Sequence, residues 1–197
     1  MKKRISLKKI GIVIPAYNEE KNIEKLIKSI NKFLKTPIIY LIDDSYSNKT
    51  SVIVKKKKLK VKYFHRKMKS GRGSAVLHGI KYALKNTKIK IFVEMDADFS
   101  HKPEELNKNL SLFKKKELDL LISSRYLGKS KIFNWSLQRR IFSRLANLSA
   151  KLLLNIGVSD YTNGYRIYSK KSAQLITSRC GKIGDGFIVL SEILLQI

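Results

Sequence analysis

The sequence predicts an α/β fold in which helices cover both faces of a mostly parallel sheet. Two observations support this prediction. Short apolar runs alternate with helical apolar spacing over most of the chain, and 43% of the residues are hydrophobic, as in globular proteins. A length of 197 residues suits one domain with a full core. We therefore expect a single domain whose ligand site lies outside the carboxyl ends of the strands.

Strands and helices follow from these patterns in chain order. The strands are predicted at Ile10–Ile14, Pro37–Ile42, Lys60–Phe64, Ile89–Met95 and Leu118–Ser123, each a short run rich in apolar residues. The helices are predicted at Glu20–Leu34, from Asn48 or Thr50 onward, at Ser74–Leu84, and from Pro103 onward. Regular alternation of this kind is typical of a parallel sheet covered on both faces.

The pattern changes after Gly128, where one long helix or two are predicted over Ile132–Ile156. Its apolar residues fall on one side: Trp135, Leu137, Ile141, Leu145, Leu148 and Leu152. The basic residues Arg139, Arg140, Arg144 and Lys151 interrupt the segment, so its composition is not that of a membrane span. The favoured interpretation is a helix buried in the domain, and the alternative is a helix that lies in an interface.

The formal net charge of +27 has two interpretations. One is attraction to phosphates in nucleic acid, anionic lipid or a sugar nucleotide, and the other is a lysine-rich bias spread over solvated surfaces. A nucleic-acid-binding module interleaves aromatic with basic residues on one face, whereas the lysines here form blocks between elements, as at Lys55–Lys58. We therefore predict no nucleic-acid binding.

Two further features concern the compartment. Cys180 is the single cysteine, so an internal disulfide is excluded and a reducing compartment is favoured. No apolar run reaches the roughly 18 to 20 residues that a bilayer-spanning helix needs. These observations predict a cytoplasmic location.

Acidic residues follow the ends of two predicted strands. Asp43 and Asp44 close the second strand, and Asp96 and Asp98 close the fourth. The carboxyl ends of parallel strands lie on the same edge of a sheet, and neighbouring carboxylates repel each other unless a cation lies between them. Hard oxygen ligands suit Mg²⁺ or Mn²⁺. The acidic pairs therefore indicate a metal site at this edge, with turn and helix-capping aspartates as the alternative.

Other motifs accompany the acidic pairs, in order along the chain. Residues 15–19 (PAYNE) follow the first strand, Asp43-Asp44 the second, and residues 96–101 (DADFSH) the fourth. Further motifs are residues 66–79, residues 124–126, Trp135 with residues 139–147, and residues 160–168. From about Ile10 to the C-terminus, the set resembles the family 2 glycosyltransferases of the Rossmann-like GT-A fold. Within them it is most similar to the polyprenyl-phosphate (dolichyl-phosphate) mannosyltransferases and glucosyltransferases.

The resemblance implies donor-binding roles for several residues. Pro15, Tyr17 and Glu19 match the first donor-binding loop, and Ile42 and Asp44 match positions that hold the nucleoside base. Asp96, Ala97 and Asp98 match the metal and diphosphate loop, and Ser100 falls where relatives place a polar neighbour of the metal. The implied metal ligands are Asp96, Asp98 and Ser100, and the implied ion is Mg²⁺ or Mn²⁺. Arg66 and Lys69 match basic residues expected to contact the donor.

The resemblance also implies roles at the phosphates. Arg125 matches a donor-binding arginine that contacts phosphate, and Arg139 and Ser143 match residues near the acceptor phosphate. The expected catalytic residues are therefore Asp98, Arg125 and Arg139. One catalytic domain is implied, with a nucleotide-sugar half at about residues 1–128 and an acceptor-side helical region at about residues 129–197.

The implied reaction is a metal-dependent, inverting transfer of a hexose from a nucleotide-diphosphate sugar to a polyprenyl phosphate. GDP-mannose is the favoured donor and UDP-glucose the alternative. Such an acceptor lies in a bilayer, so the expected location is peripheral, at the cytoplasmic face of a membrane, with a separate membrane-anchoring subunit as a candidate partner. The rival functions are transfer to a glycan or other hydroxyl, with Asp160 or Asp185 as the base, and an inactive partner-binding subunit.

The chain departs from the family pattern at three places. Tyr46 and Asn48 stand where Ser and Asp are usual, which bears on the cap of the second helix. Arg72 stands in the glycine turn where leucine is usual. Relatives continue beyond the position of Ile197 with a further strand and a basic acceptor-side segment, so the resemblance indicates a truncated or minimal form.

Overall fold

A computed structural model of the chain describes residues 10–67, 70–127 and 137–197, and of Arg139 it describes the backbone only. Its strands are β1 (Ile10–Ala16), β2 (Ile38–Asp43), β3 (Val61–His65), β4 (Ile91–Glu94), β5 (Leu120–Ile122) and β6 (Arg166–Ser169). Its helices are α1 (Glu20–Phe33), α2 (Lys49–Lys56), α3 (Arg72–Leu84), α4 (Leu106–Lys115), α5 (Leu137–Leu154), α6 (Lys170–Arg179) and α7 (Ile188–Gln196). A 3₁₀ turn at Pro103–Glu105 leads into α4.

The strands form one mixed sheet in the order β3-β2-β1-β4-β6-β5. The first four strands are parallel to one another, whereas β6 runs antiparallel to both β4 and β5. The prediction of a mostly parallel α/β sheet is therefore confirmed. The strand β6 was not predicted, and its insertion separates β5 from the parallel part of the sheet.

Helices cover both faces of the sheet, as the alternating pattern predicted. Ile12 and Ile14 of β1 pack with α1 and α4 on one face, and Val13 packs with α3, α6 and α7 on the other. Successive side chains of a strand point to opposite faces, so a fully apolar strand such as β1 is buried on both sides. The core therefore consists of two apolar layers separated by the sheet.

The helix α3 lies unusually close to the sheet because Gly79 faces it. A Cβ atom added at Gly79 would lie 2.4 Å from Cγ1 of Val13, closer than side chains pack, and 3.0 Å from Cγ1 of Ile42, which is a tight contact. This close packing holds α3 against β1 and β4, and Arg72 at its start contacts Glu94 and Asp96 at the carboxyl end of β4.

The helix α5 is not buried, and the expectation that it would be is wrong. Its apolar stripe is exposed, at 73% for Leu137, 51% for Ile141, 56% for Leu145, 54% for Leu148 and 75% for Leu152. Among the described side chains of α5, Asn147 is the buried one. Trp135 and the segment before Leu137 lie outside the described residues. An apolar stripe along a helix therefore does not by itself predict that the helix packs against the rest of the domain.

Candidate active site

A cavity of about 340 Å³ lies at the carboxyl edge of β1, β2 and β4. Three strand ends, the start of α3 and the turn before α7 form its wall. The lining residues are Pro15, Ala16, Tyr17, Glu19, Asp44, Gly71, Arg72, Ala75, Asp96, Ala97, Asp98, Gly186 and Phe187. This is the edge at which parallel α/β sheets bind ligands, so the cavity is the candidate donor site.

Asp43, the last residue of β2, and Asp44, which follows it, have different roles. Asp43 is fully buried and accepts hydrogen bonds from the amide of Ser45 (3.0 Å), the hydroxyl of Ser45 (2.5 Å) and the hydroxyl of Tyr63 (2.8 Å). The hydroxyl of Ser45 in turn accepts from the amide of Asn18, at 2.8 Å. Burial and the charge of Asp43 raise the pKa of Tyr63, so this phenol stays a neutral donor. Asp43 therefore stabilises the loop after β1 through Ser45.

Asp44 faces the cavity and is paired with Arg66. The Nε of Arg66 donates to Oδ1 of Asp44 at 2.6 Å, and its Nη2 donates to Oδ2 at 2.6 Å. The Nη1 of the same guanidinium donates to the hydroxyl of Ser74 in α3, at 2.9 Å. A bidentate ion pair of this kind is among the stronger side-chain interactions, and it orients the carboxylate.

The acidic loop after β4 is held in place by His101. The Nδ1 of His101 accepts from the amide of Asp96 at 2.9 Å, so the proton of the neutral ring is on Nε2, which donates to Oδ1 of Asn163 at 2.9 Å. Burial lowers the pKa of His101, which favours this neutral form. The imidazole also stacks on the ring of Tyr165, with centroids 5.1 Å apart. His101 thus supports Asp96 and belongs to the packing of the loop.

Arg72 extends from the start of α3 to the carboxylates of β4. Its Nε donates to Oδ1 of Asp96 at 2.8 Å, its Nη2 lies 2.6 Å from the same oxygen, and its Nη1 donates to Oε1 of Glu94 at 2.6 Å. Burial alone would lower the pKa of Arg72, but the charges of Asp96 and Glu94 raise it above its usual value. Burial alone would raise the pKa of Asp96, but Arg72 holds it below its usual value. Both groups are therefore charged.

Negative charge accumulates where Glu19, Asp96 and Asp98 line the cavity. Burial, together with the charges of Asp98 and Asp96, raises the pKa of Glu19. Asp98 is exposed, and its Oδ1 accepts from the amide of Ser100 at 2.9 Å. Among the described residues, no group of three or more acidic, histidine or cysteine side chains is arranged to hold a metal ion. Mg²⁺ binds through one or two carboxylates and completes its shell with water and substrate phosphates, so Asp96 and Asp98 fit such an ion.

A second polar network lies beside the acidic loop. Arg125 forms a bidentate ion pair with the fully buried Asp160, in which Nε donates to Oδ2 at 2.8 Å and Nη2 donates to Oδ1 at 2.7 Å. Its Nη2 also donates to the hydroxyl of Thr162 at 2.6 Å. That hydroxyl accepts from Nδ2 of Asn147 in α5, at 3.0 Å. The network joins α5 to the segment that precedes β6.

Ser143 of α5 lies at the edge of this network. Its hydroxyl is 2.6 Å from the hydroxyl of Tyr126, the residue after Arg125. Arg139 is on α5 one turn before Ser143, and its side chain lies outside the described residues, as do Lys69 and Trp135.

With this geometry established, comparison with known sequences identifies the family. The family model of Glycosyl transferase family 2 matches residues 11–176, which include the whole sheet except Ile10 and all the lining residues of the cavity except Gly186 and Phe187. The chain belongs to glycosyl transferase family 2. Within the described residues of this family 2 domain, no helix is both long and apolar enough to cross a membrane.

Two curated relatives show where in the family the chain falls. It is 33% identical over 169 residues to the polyprenol monophosphomannose synthase of Mycolicibacterium smegmatis, covering 84% of this chain and 63% of that protein. It is 29% identical over 167 residues to the undecaprenyl-phosphate mannosyltransferase of Micrococcus luteus, covering 83% of this chain and 68% of that protein. The family 2 chain thus spans about two-thirds of the length of these relatives.

The fold is shared with a solved glycosyltransferase. Glucosyl-3-phosphoglycerate synthase from Mycobacterium tuberculosis, crystallised with Mn²⁺, UDP and glucosyl-3-phosphoglycerate, matches with a TM-score of 0.67 at 21% identity. The match covers 94% of this chain and 63% of that one. It confirms the predicted GT-A fold.

The cavity brings together most of the residues assigned to the donor. Pro15, Tyr17, Glu19, Asp44, Asp96, Ala97 and Asp98 all line it. Ile42 is fully buried in the core, Ser100 is exposed beyond Asp98, and Arg125 and Ser143 lie in the second network. Sequence reasoning missed Arg72 and Phe187 as lining residues. The sequence signal for Arg72 was that a charged residue stands in a glycine turn. No sequence signal marked Phe187.

Proposed function

We propose that this family 2 domain transfers a hexose from a nucleotide-diphosphate sugar to a polyprenyl phosphate, with inversion at the anomeric carbon. GDP-mannose is the favoured donor, because both relatives described above carry mannose in their names, one as a polyprenol monophosphomannose synthase and the other as an undecaprenyl-phosphate mannosyltransferase. UDP-glucose is the alternative, because the solved structure with the same fold was crystallised with UDP.

The observation that carries this proposal is the convergence of three strand ends on one cavity. Glu19 comes from the loop after β1, Asp44 from the end of β2, and Asp98 from the loop after β4. A nucleotide-diphosphate sugar has a base at one end and a diphosphate at the other. Asp44, held by Arg66, is assigned to the base, and the acidic loop is assigned to the diphosphate.

The leaving group is a nucleoside diphosphate, on which negative charge builds as the sugar departs. Asp96 and Asp98 are the residues that would hold a Mg²⁺ or Mn²⁺ ion, and when bound such an ion supplies positive charge to the leaving phosphate. The protein's own task is to present these carboxylates in a fixed geometry. The bond from the amide of Asp96 to His101 and the Asx-type bond within Asp98–Ser100 serve that task.

The acceptor in this proposal is already a nucleophile. A phosphate oxygen is anionic at neutral pH, so no strong general base is required. Transfer to a hydroxyl would need one, and Asp160 is fully buried with its carboxylate bonded to Arg125. This pairing removes Asp160 as a candidate base, which leaves Asp185, an exposed residue next to the lining residue Gly186, as the base that a hydroxyl acceptor would require. Arg125, Ser143 and Arg139 are assigned to the phosphates, with Arg139 and Ser143 on the acceptor.

A polyprenyl phosphate lies in a bilayer, so the proposal places the domain peripherally at the cytoplasmic membrane surface. The exposed apolar stripe of α5 and the net charge of +27 support this placement. Basic residues near an anionic surface contribute about 1 kcal/mol each. A separate membrane-anchoring subunit would strengthen the association.

The decisive assay supplies donor and acceptor separately. The full chain is incubated with Mn²⁺ or Mg²⁺, tritiated GDP-mannose or UDP-glucose, and a short polyprenyl phosphate, and label is followed into the lipid fraction. The proposal expects label in lipid from one donor and none with the Asp98→Asn variant. Label that enters a glycan or a simple alcohol, but not the lipid phosphate, would refute the acceptor assignment.

A further inference from the structure

Arg72 forms an ion pair with Asp96, one of the two carboxylates that are assigned to the metal ion. Two of its nitrogens, at 2.8 and 2.6 Å, contact Oδ1 of Asp96, and the other oxygen of Asp96 lies 3.6 Å from Nε2 of His101. One of the two carboxylates assigned to the metal is thus already in an ion pair before any ligand binds.

Further contacts hold Arg72 in this position. Glu94, which accepts from Arg72, is fully buried, and its Oε2 accepts from the hydroxyl of Tyr168 at 2.6 Å. Loss of the guanidinium would leave the buried carboxylate of Glu94 unpaired, which costs free energy. The contact between Glu94 and Arg72 is therefore stabilising. The ring of Phe187 lies 5.7 Å from the guanidinium carbon on another side.

Gly164 also lies against the guanidinium of Arg72. A Cβ atom added at Gly164 would lie 1.9 Å from Nη2 of Arg72, so the guanidinium fills the space that any larger residue would need. Since Nη2 is the nitrogen nearest to Asp96, the absence of a side chain at position 164 is what permits that contact.

A fixed positive charge here acts against a divalent cation. A cation bound to Asp96 must lie close to the guanidinium, and like charges at short range in a partly buried cavity repel strongly. A bound diphosphate reduces this repulsion, because its negative charge offsets both the guanidinium and the metal ion. Its oxygens also supply further ligands to the metal ion.

We propose that Arg72 is a positioning residue that holds Asp96 in an ion pair and makes divalent-cation binding dependent on the nucleotide. The free protein then binds the cation weakly, and the cation and nucleoside diphosphate bind with positive coupling that is reciprocal. This inference rests on the proposed function in so far as Asp96 is taken as a metal ligand.

The test measures Mn²⁺ binding to the full chain without any sugar donor, by electron paramagnetic resonance of unbound Mn²⁺. The first variant is Arg72→Leu with Glu94→Gln, which removes the guanidinium from Asp96 without changing the net charge. The side-chain amide introduced at position 94 can still accept from the hydroxyl of Tyr168. The second is Gly164→Ala, which changes no charge and displaces Nη2 from Asp96. Without nucleotide, each variant is expected to bind Mn²⁺ about ten- to a hundredfold more tightly than wild type.

The matched control removes the other ion pair of the cavity. Arg66→Leu with Asp44→Asn also keeps the net charge, but it leaves Asp96 paired with Arg72. Its Mn²⁺ affinity is expected to stay within about twofold of wild type. An equal gain in this control would show that any lost pair in the cavity has the same effect, and it would overturn the inference.

Wild-type protein provides a measurement that does not depend on the folding of a variant. GDP and UDP are tested in turn, and one of them is expected to raise its Mn²⁺ affinity at least about tenfold. Equally tight Mn²⁺ binding with and without nucleotide would overturn the role of Arg72 while leaving the proposed transfer intact. No Mn²⁺ binding to any form, with or without nucleotide, would instead count against the metal-dependent function itself.

Discussion

Arg66 donates to both carboxylate oxygens of Asp44 at 2.6 Å, so the acidic residue that follows β2 belongs to an oriented ion pair at the wall of the cavity. The side chains of Arg66 and Asp44 are only 13% and 6% exposed, which shields the pair from water. The guanidinium also contacts Ser74 at the first turn of α3. The pair therefore joins β2, β3 and α3 at the point assigned to the nucleoside base.

The first prediction concerns Asp44. Asp44→Ala is expected to weaken nucleotide binding by about ten- to a hundredfold, because a hydrogen bond to a charged group contributes about 1.5 to 3 kcal/mol. Calorimetric titration with GDP and UDP measures this. The control is Asp119→Ala, whose exposed carboxylate lies 4.0 Å from Lys171 and is expected to have no effect. Equal affinities for wild type and Asp44→Ala would make the Asp44–Arg66 pair purely structural.

The second prediction concerns metal removal. Asp98→Ala is expected to abolish turnover while the melting temperature stays close to that of wild type, because Asp98 is exposed at the sheet edge. Excess EDTA is expected to abolish turnover of wild type, with recovery on adding Mn²⁺ or Mg²⁺. Transfer of label that continues unchanged in EDTA contradicts the metal assignment.

The third prediction tests the support that His101 gives to the acidic loop. His101→Phe keeps a ring against Tyr165 but leaves the amide of Asp96 and Oδ1 of Asn163 without their bonds to the imidazole. The expected cost is about 1 to 3 kcal/mol. At about 2 to 4 °C for each kcal/mol, the melting temperature falls by several degrees.

A second histidine gives the matched control for that measurement. His78→Phe changes a ring that packs against Phe64 and Tyr82, with centroids 6.2 and 4.9 Å away. It is expected to leave the melting temperature within about 2 °C of wild type. Equal falls for the two variants would mean that the bonds of His101 add nothing specific to the loop.

The sequence was sufficient to predict β1 to β4 and the acidic ends that form the cavity. Buried parallel strands are short and apolar, and the carboxyl edge of such a sheet collects the residues that follow each strand. The strand β6 was missed because its four residues, Arg166–Ser169, include a fully buried arginine. Arg166 is satisfied by the carbonyls of Asn163, Tyr161 and Leu190, which no local pattern reveals.

Contacts between distant segments account for the rest. Arg72 was noted as an unusual residue in a glycine turn, but its partners Glu94 and Gly164 are 22 and 92 residues away along the chain. The exposure of α5 was wrongly predicted for a related reason. Hydrophobic periodicity gives the direction of an apolar face, whereas burial depends on which element packs there.

The exposed face of α5 provides the last prediction. Phe142 and Leu153 are 78% and 83% exposed, in addition to the stripe that includes Leu145 and Leu152. Basic residues on the same helix, Arg139, Arg140, Arg144 and Lys151, complement an anionic surface. Charge attraction acts within a Debye length of about 8 Å at physiological salt, whereas apolar insertion does not depend on salt in this way.

We therefore expect cosedimentation with anionic liposomes at low salt and release at about 0.5 M NaCl. Arg139→Ala with Arg144→Ala should weaken this binding more than two lysine-to-alanine changes within Lys55–Lys58, because only the former pair lies on the apolar helix. Leu145→Ser with Leu152→Ser should weaken it as well, whereas Val52→Ser with Leu112→Ser, which alters exposed apolar residues of α2 and α4, should not. If both arginine and lysine pairs reduce binding equally, diffuse charge brings the domain to the membrane and α5 does not.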